Sequence, residues 1–200
     1  MSGSSRSPRI VRKQKPPRYW YAHRKYLKYL LLDFGGRCAY SCQHMDRAGG
    51  VGAMDIDHFD PHLRPPKRNT YANLMLATRH CNGKKGKRPT KAERRAGLRF
   101  LNPCEETDYG VHIFEDPDTF ELWGATPEGR YHVRVLDLNA GHLVKERRVR
   151  HALRMMKKEP IIVTALRDDA MRGVKQFSEQ VELMIPPFHQ KKKPEATKSA

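Results

Sequence analysis

Disulfide chemistry has little to work with in this chain. Its 200 residues include four cysteines, Cys38, Cys42, Cys81 and Cys104. These are too few to staple a fold of this size, and thiols kept reduced in a cytosol fit better. No apolar run approaches the roughly 18–20 residues that span a bilayer. No apolar segment follows the basic N-terminus either, so no secretory leader is expected and a cytoplasmic location is. Acidic residues are missing from 1–30, which hold nine Lys/Arg; basic residues are missing from 100–129, which hold eight Asp/Glu. The whole chain sets 39 Lys+Arg against 22 Asp+Glu, a formal charge of +17. Such an excess says nothing about fold but favours a polyanionic partner: nucleic acid first, an anionic membrane second. The hydrophobic fraction of 38% supports a modest core. The length suits one domain with tails, or a small domain with an extension.

Four segments are expected. Residues 1–17, rich in Ser, Arg, Lys and Pro, read as a flexible basic arm. Residues 18–100 form a core that opens with a helix over 19–33. Trp20, Leu27, Leu30, Leu31 and Phe34 fall near one face of that helix, and Gly35-Gly36 takes the left-handed conformation that ends it. A Cys-containing knuckle and a Gly-rich loop fill 38–53. Strands follow at Met54–Phe59 and Asn73–Ala77, and a helix starts near Cys81. Residues 101–185 read as an extension, first a hairpin over 111–123 turning at Asp116-Pro117-Asp118. A strand over Tyr131–Leu136 comes next. A helix capped by Asn139 then carries an apolar stripe of Leu143, Val149, Ala152, Leu153 and Met156. A last helix opens at Pro160 and runs through Ile162, Leu166, Ala170, Phe177, Val181 and Met184 to Pro186-Pro187. Residues 186–200 are a basic tail. The fold class is α+β.

The chemistry is concentrated in Asp55-Ile56-Asp57-His58-Phe59-Asp60-Pro61, then Tyr71-Ala72-Asn73-Leu74, then Arg79-His80-Cys81-Asn82-Gly83-Lys84-Lys85. Hydrolysis of a phosphodiester needs an activated water, neutralised phosphoryl oxygens and help for the leaving oxygen. A histidine near its ordinary pKa can take a proton from water. A hard divalent ion on oxygen ligands serves the other two needs. Asp57 and His58 are consecutive on a strand and so face opposite ways. One of them would hold metal while the other addresses water. Asn82, at a helix start, can offer its amide oxygen to the same ion, and Asn73 can fix the His58 imidazole. His62 reads as a loop residue or a contact to the scissile phosphate, and Asp60 as a turn or capping residue rather than a ligand. Asp55 shares the strand face of Asp57 by alternation and reads as solvent-exposed or as an accessory metal ligand, and His112 and His132 as structural or surface groups.

This arrangement resembles the HNH endonuclease superfamily, whose core is a ββα-metal unit. The resemblance covers residues 38–88. It implies that His58 is the general base, that Asp57 and Asn82 ligate a catalytic Mg²⁺ (or Mn²⁺), and that Asn73 is the middle, orienting residue. His58, Asn73 and Asn82 are then the catalytic set, with Asn82 replacing the usual last histidine. Lys84 and Lys85 sit where such proteins place phosphate contacts, and Lys87 and Arg88 extend that nucleic-acid-binding run. The implied activity is metal-dependent hydrolysis of DNA. The stretch Asn73–Gly86, Leu101-Asn102-Pro103 and Leu136-Asp137-Leu138-Asn139 is also similar to HNH proteins of retron- and Septu-type antiphage systems. That implies a defence role beside an ATPase or another subunit.

Many HNH proteins brace the fold with zinc on two Cys-x-x-Cys pairs, and this chain departs from that pattern. Its first pair is Cys38-x-x-x-Cys42, and Thr78 stands where a cysteine would precede Cys81. Structural Zn²⁺ on Cys38, Cys42 and Cys81, with His44, His80 or Cys104 as fourth ligand, is one reading. Buried cysteines packed as small apolar residues are the other. A competing function is a non-catalytic nucleic-acid adaptor in which His58 and Cys81 serve zinc.

Overall fold

The computed structural model describes residues 10–19, 22–105, 111–158, 189–190 and 194. The 3₁₀ turn His23–Tyr26 leads into helix α1 (Leu27–Asp33), followed by the short helix α2 (Met45–Ala48). Strands β1 (Met54–His58) and β2 (Leu74–Thr78) and helices α3 (Arg79–Lys85) and α4 (Lys91–Arg95) come next. Strands β3 (Ile113–Glu115) and β4 (Leu122–Gly124), helices α5 (Pro127–Val135) and α6 (Gly141–Lys158), and strand β5 (His189–Gln190) complete the α+β chain.

β1 and β2 form an antiparallel hairpin in which Met54 faces Thr78 and His58 faces Leu74. Every residue of β2 is buried, because α1 packs on the hairpin and α3 packs back onto both strands. Leu30 of α1 and Leu74, Met75 and Leu76 of β2 lie in this core with no exposed surface. α3 follows β2 without a loop. The Thr78 hydroxyl accepts from the Cys81 backbone N–H at 3.4 Å, which satisfies a free donor of the first turn. The helix therefore begins two residues before Cys81. Gly35 and Gly36 end the first helix in the left-handed region, at φ 55° and 66°.

Several expectations need correction. The arm is docked over part of its length. The Arg12 guanidinium donates to the carbonyls of Tyr71 (3.0 Å) and Leu74 (2.6 Å), and it lies over the Phe34 and Tyr71 rings. The backbone N–H groups of Lys13 and Gln14 donate to Asp33. Tyr131–Val135 is helical rather than extended, and Leu136 caps the helix. Thr126 caps α5 through the Gly129 N–H, and Pro127 occupies the first turn. That start packs closely on the hairpin: a Cβ on Gly124 would lie 2.1 Å from the Arg130 nitrogen, so only glycine fits there. Asn139 does not cap α6. Its amide exchanges two 2.8 Å hydrogen bonds with the Leu122 backbone, acting as a piece of strand beside β4.

The inner face of α6 is charged rather than an apolar stripe. Leu143 is buried, but so are Glu146, Arg147 and Arg150, while Ala152 is exposed. Arg147 donates to the Phe120 and Leu138 carbonyls and to Asn139 Oδ1 at 2.6–3.1 Å. Arg150 pairs with Glu115 at 3.5 Å and Glu146 at 3.3 Å. Buried charges persist only when paired, so this helix is pinned by the acidic hairpin. The expected hairpin is present as β3–β4, and Asp116 builds its turn by accepting the Asp118 and Thr119 N–H groups. β5 adds in parallel to β3. No helix among the described residues is long and apolar enough to cross a membrane. Trp20, the helix opening at Pro160, and nearly all of the tail lie outside the described residues.

Candidate active site

Strand alternation separates the groups of β1. Asp55 and Asp57 meet α3. His58 meets the loop between the strands and the N-terminal 3₁₀ turn. Its Nε2 lies 2.9 Å from Asn69 Oδ1. With Nε2–H donating to that oxygen, Nδ1 is the unprotonated nitrogen, and it has no hydrogen-bond partner among the described residues. The His23 ring sits edge-on to the His58 ring, centroids 5.1 Å apart. Burial, then the neighbouring His58, holds His23 below its ordinary pKa.

Asn73 works on the loop rather than on the imidazole. Its side chain accepts from the Asp60 N–H (2.9 Å) and donates to the Asp60 and Arg68 carbonyls. Its own carbonyl accepts from the Phe59 N–H at 2.8 Å. It thereby clamps the turn after His58 and the segment that carries Asn69. Asp60 and His62 are turn residues: Asp60 Oδ1 accepts the His62 N–H, and His62 Nε2 reaches the Pro89 carbonyl at 2.8 Å. His132 is structural, buried and accepting from the Leu101 N–H.

Asp57 and Asn82 both lie between β1 and α3 but have different partners. Asp57 is 4% exposed. Lys85 Nζ is 3.1 Å from each of its oxygens, and the Tyr40 hydroxyl donates to Oδ2. Burial pushes the Asp57 carboxyl above its ordinary pKa, against the pull of Lys85 and Tyr40; burial likewise lowers Lys85. Lys85 also donates to the His58 carbonyl at 2.7 Å. It is fully buried and braces the strand, so the expected phosphate contact is not available to its ammonium. Asn82 donates to Asp55 Oδ2 at 3.1 Å. Its amide oxygen accepts no hydrogen bond among the described residues. Alternation along β1 placed Asp55 on the strand face of Asp57, and the structure sets it against the same helix, at Asn82. Asn69 was missed because it stands in an aperiodic Lys/Arg/Pro loop.

Among the expected phosphate contacts, Lys84 is half-exposed and pairs with Asp137 at 2.8 Å. Lys87 is exposed. The Arg88 guanidinium lies on Glu93, whose carboxylate also closes the Thr90 capping box. The half-exposed Asp55 carboxylate and the free Asn82 oxygen are hard donors suited to Mg²⁺ or Mn²⁺.

The cysteines do not converge as a zinc set. Among the described residues no three His, Cys, Asp or Glu side chains are placed to share a metal ion. Cys38, Cys42 and Cys81 are free and buried. Cys38 Sγ accepts from the Ser41 N–H (3.5 Å), the Thr78 hydroxyl (3.7 Å) and the Cys81 thiol. Burial opposes ionisation of Cys38, yet these donors outweigh it and lower its pKa. Burial pushes Cys42 up to about 12. Ser41 and Thr78 thus take the places of two cysteines in a Cys38-x-x-Ser41 and Thr78-x-x-Cys81 pattern, and hydrogen bonds stand where zinc–sulfur bonds would. The adaptor reading needs His58 and Cys81 on one zinc. The structure sends His58 to Asn69 and His23, and Cys81 to Cys38 and Thr78.

The family model described as HNH endonuclease matches residues 36–88. Neither the curated proteins nor the solved structures give a match. Residues 36–88 hold the knuckle, β1, β2 and α3 around His58, Asn73 and Asn82, so this likeness to HNH endonucleases falls on the segment that carries the candidate site.

Proposed function

We propose that the protein is a metal-dependent DNA endonuclease. The observation that carries this is the oriented base: His58, with Nε2 on Asn69 and Nδ1 open, closes β1, the strand that also bears the half-exposed Asp55 beside Asn82. In this reading His58 takes the proton from the attacking water. Asn69 fixes its tautomer, and Asn73 holds the loop that carries Asn69. Asn82 and the β1 carboxylates hold the divalent ion: Asp55, already at Asn82, and Asp57, whose present counter-ion is Lys85. When bound, that ion neutralises the phosphate and the leaving oxygen. Lys84, Lys87 and Arg88 line the exposed side of α3 and its following loop as phosphate contacts. Contacts to backbone phosphates carry little sequence preference and weaken with salt.

The test uses supercoiled plasmid with Mg²⁺, Mn²⁺ or EDTA. Wild type nicks only with the cation. His58→Ala abolishes nicking while DNA binding in EDTA stays within about twofold. Wild-type turnover by His58→Ala would refute the assignment. An antiphage role with a partner subunit is proposed on the resemblance of 73–86, 101–103 and 136–139 to retron- and Septu-type proteins. Plaque counts on cells carrying the wild-type or His58→Ala gene test it: protection that survives the substitution would reject a nuclease-based defence.

A further inference from the structure

Beside the candidate site, α2, the start of α3 and α6 enclose an open cleft of about 370 Å³. Arg47, Arg79, Lys145, His80 and His142 line it, with Glu146 the acidic residue among the lining groups. The Glu146 carboxylate lies against Arg150 at 3.3 Å, a guanidinium it shares with Glu115, so its charge is offset in part and Arg47, Arg79 and Lys145 outnumber it. The cleft is therefore cationic. Its walls are fixed: His80 Nε2 donates to the Asp137 carbonyl at 3.2 Å, and its ring meets the His142 ring edge-on at 4.7 Å. Lys145 is exposed and has no acidic partner among the described residues. Arg79 connects the cleft to the candidate site. Its Nε is 3.9 Å from Asp55 Oδ1, while Asp55 Oδ2 accepts from Asn82. One edge of the cleft thus begins at the Asp55–Asn82 contact.

We propose that this cleft seats a DNA backbone phosphate flanking the scissile one, and that α6, outside the matched segment, supplies half of the seat. The inference rests on the nuclease reading for the identity of the polyanion. Successive phosphates follow one another every ~3.4 Å of duplex axis along a strand, so a strand crossing Asn82 must place a neighbouring charge close by. Arg79 and the α6 cations are the groups positioned to meet it. The charged inner face of α6 acquires a purpose here, since Arg147 and Arg150 lock the helix so that His142 and Lys145 present a fixed wall.

Binding of a fluorescent duplex, measured by anisotropy in EDTA across a salt series, tests the seat apart from catalysis. Each lost phosphate contact lowers the slope of log K against log[salt] by about 0.9. Arg47→Ala/Lys145→Ala empties a seat for one phosphate, so it should lower the slope by about 0.9 and weaken binding about tenfold near 0.1 M salt. Arg148→Ala, on the same helix but not lining the cleft, should leave the slope unchanged. Circular dichroism confirms that each variant is folded. An unchanged slope in the double variant, an equal loss in Arg148→Ala, or no duplex binding by wild type overturns the seat. If the double variant loses slope but wild type never nicks plasmid, the seat stands and the nuclease reading fails. If wild type nicks and the slope does not move, the seat alone fails.

Discussion

Replacing Lys85 with methionine should unfold the protein at a much lower temperature, although an exposed lysine at this position would be dispensable. The ammonium makes three close contacts: 3.1 Å to each Asp57 oxygen and 2.7 Å to the His58 carbonyl. Its side chain is 0% exposed and that of Asp57 is 5%. Methionine fills the volume but leaves a carboxylate in the core with only the Tyr40 hydroxyl. Removing one partner of a buried pair costs about 3–5 kcal/mol. For a chain of this size each kcal/mol moves the midpoint by about 2–4 °C, so Lys85→Met should melt about 10 °C lower. Asp57→Asn/Lys85→Met removes both charges and should recover several degrees, giving a coupling energy above about 1 kcal/mol in the double-mutant cycle. Thermal denaturation by circular dichroism reads all four proteins. A Lys85→Met midpoint within about 2 °C of wild type, with additive single effects, would refute the buried pair.

Three further outcomes are expected. Asn69→Ala removes the acceptor that fixes the His58 tautomer, so plasmid nicking should fall about 10–100-fold with duplex binding in EDTA unchanged; full activity would remove Asn69 from the site. Burial foremost holds His23, His44 and His142 below 6.5. The unfolded chain then binds more protons, so stability is complete above pH 6.5 and is lost as pH falls through the native values. The raised Asp57 pKa acts in the opposite sense, because that group favours the folded state when protonated. The melting temperature should fall from pH 7.5 to 5.5, and a flat or rising profile would contradict the assignment. Finally, zinc chelators should leave the melting temperature of wild type unchanged, whereas Ser41→Cys/Thr78→Cys completes two Cys-x-x-Cys pairs and should bind one zinc per chain by atomic absorption. Destabilisation of wild type by chelator would show that the hydrogen-bonded cysteine cluster is misread.

The order of the ββα unit was legible because its residues are local. An apolar hairpin, a Thr78 cap and a Cys-Asn helix start all lie within about 30 residues of one another. Partner choice inside it was less legible. Asp57 and Lys85 meet only because α3 folds back onto β1, and the residue one turn before Lys85 takes Asp55 instead. The misread strand at 131–136 shows a conflict of signals. Tyr131, Val133 and Val135 alternate, but Thr126-Pro127-Glu128 is a helix start, and packing on Gly124 decided for the helix. The charged face of α6 could not be read from periodicity, since Arg150 finds Glu115 across 35 positions of sequence.

The most direct test replaces the base with a cavity. His58→Gly should fail to nick supercoiled plasmid with Mg²⁺ or Mn²⁺, and added imidazole should restore cleavage in a concentration-dependent, EDTA-sensitive way. Cleavage by His58→Gly at the wild-type rate without imidazole, in a preparation free of other nucleases, would contradict the account.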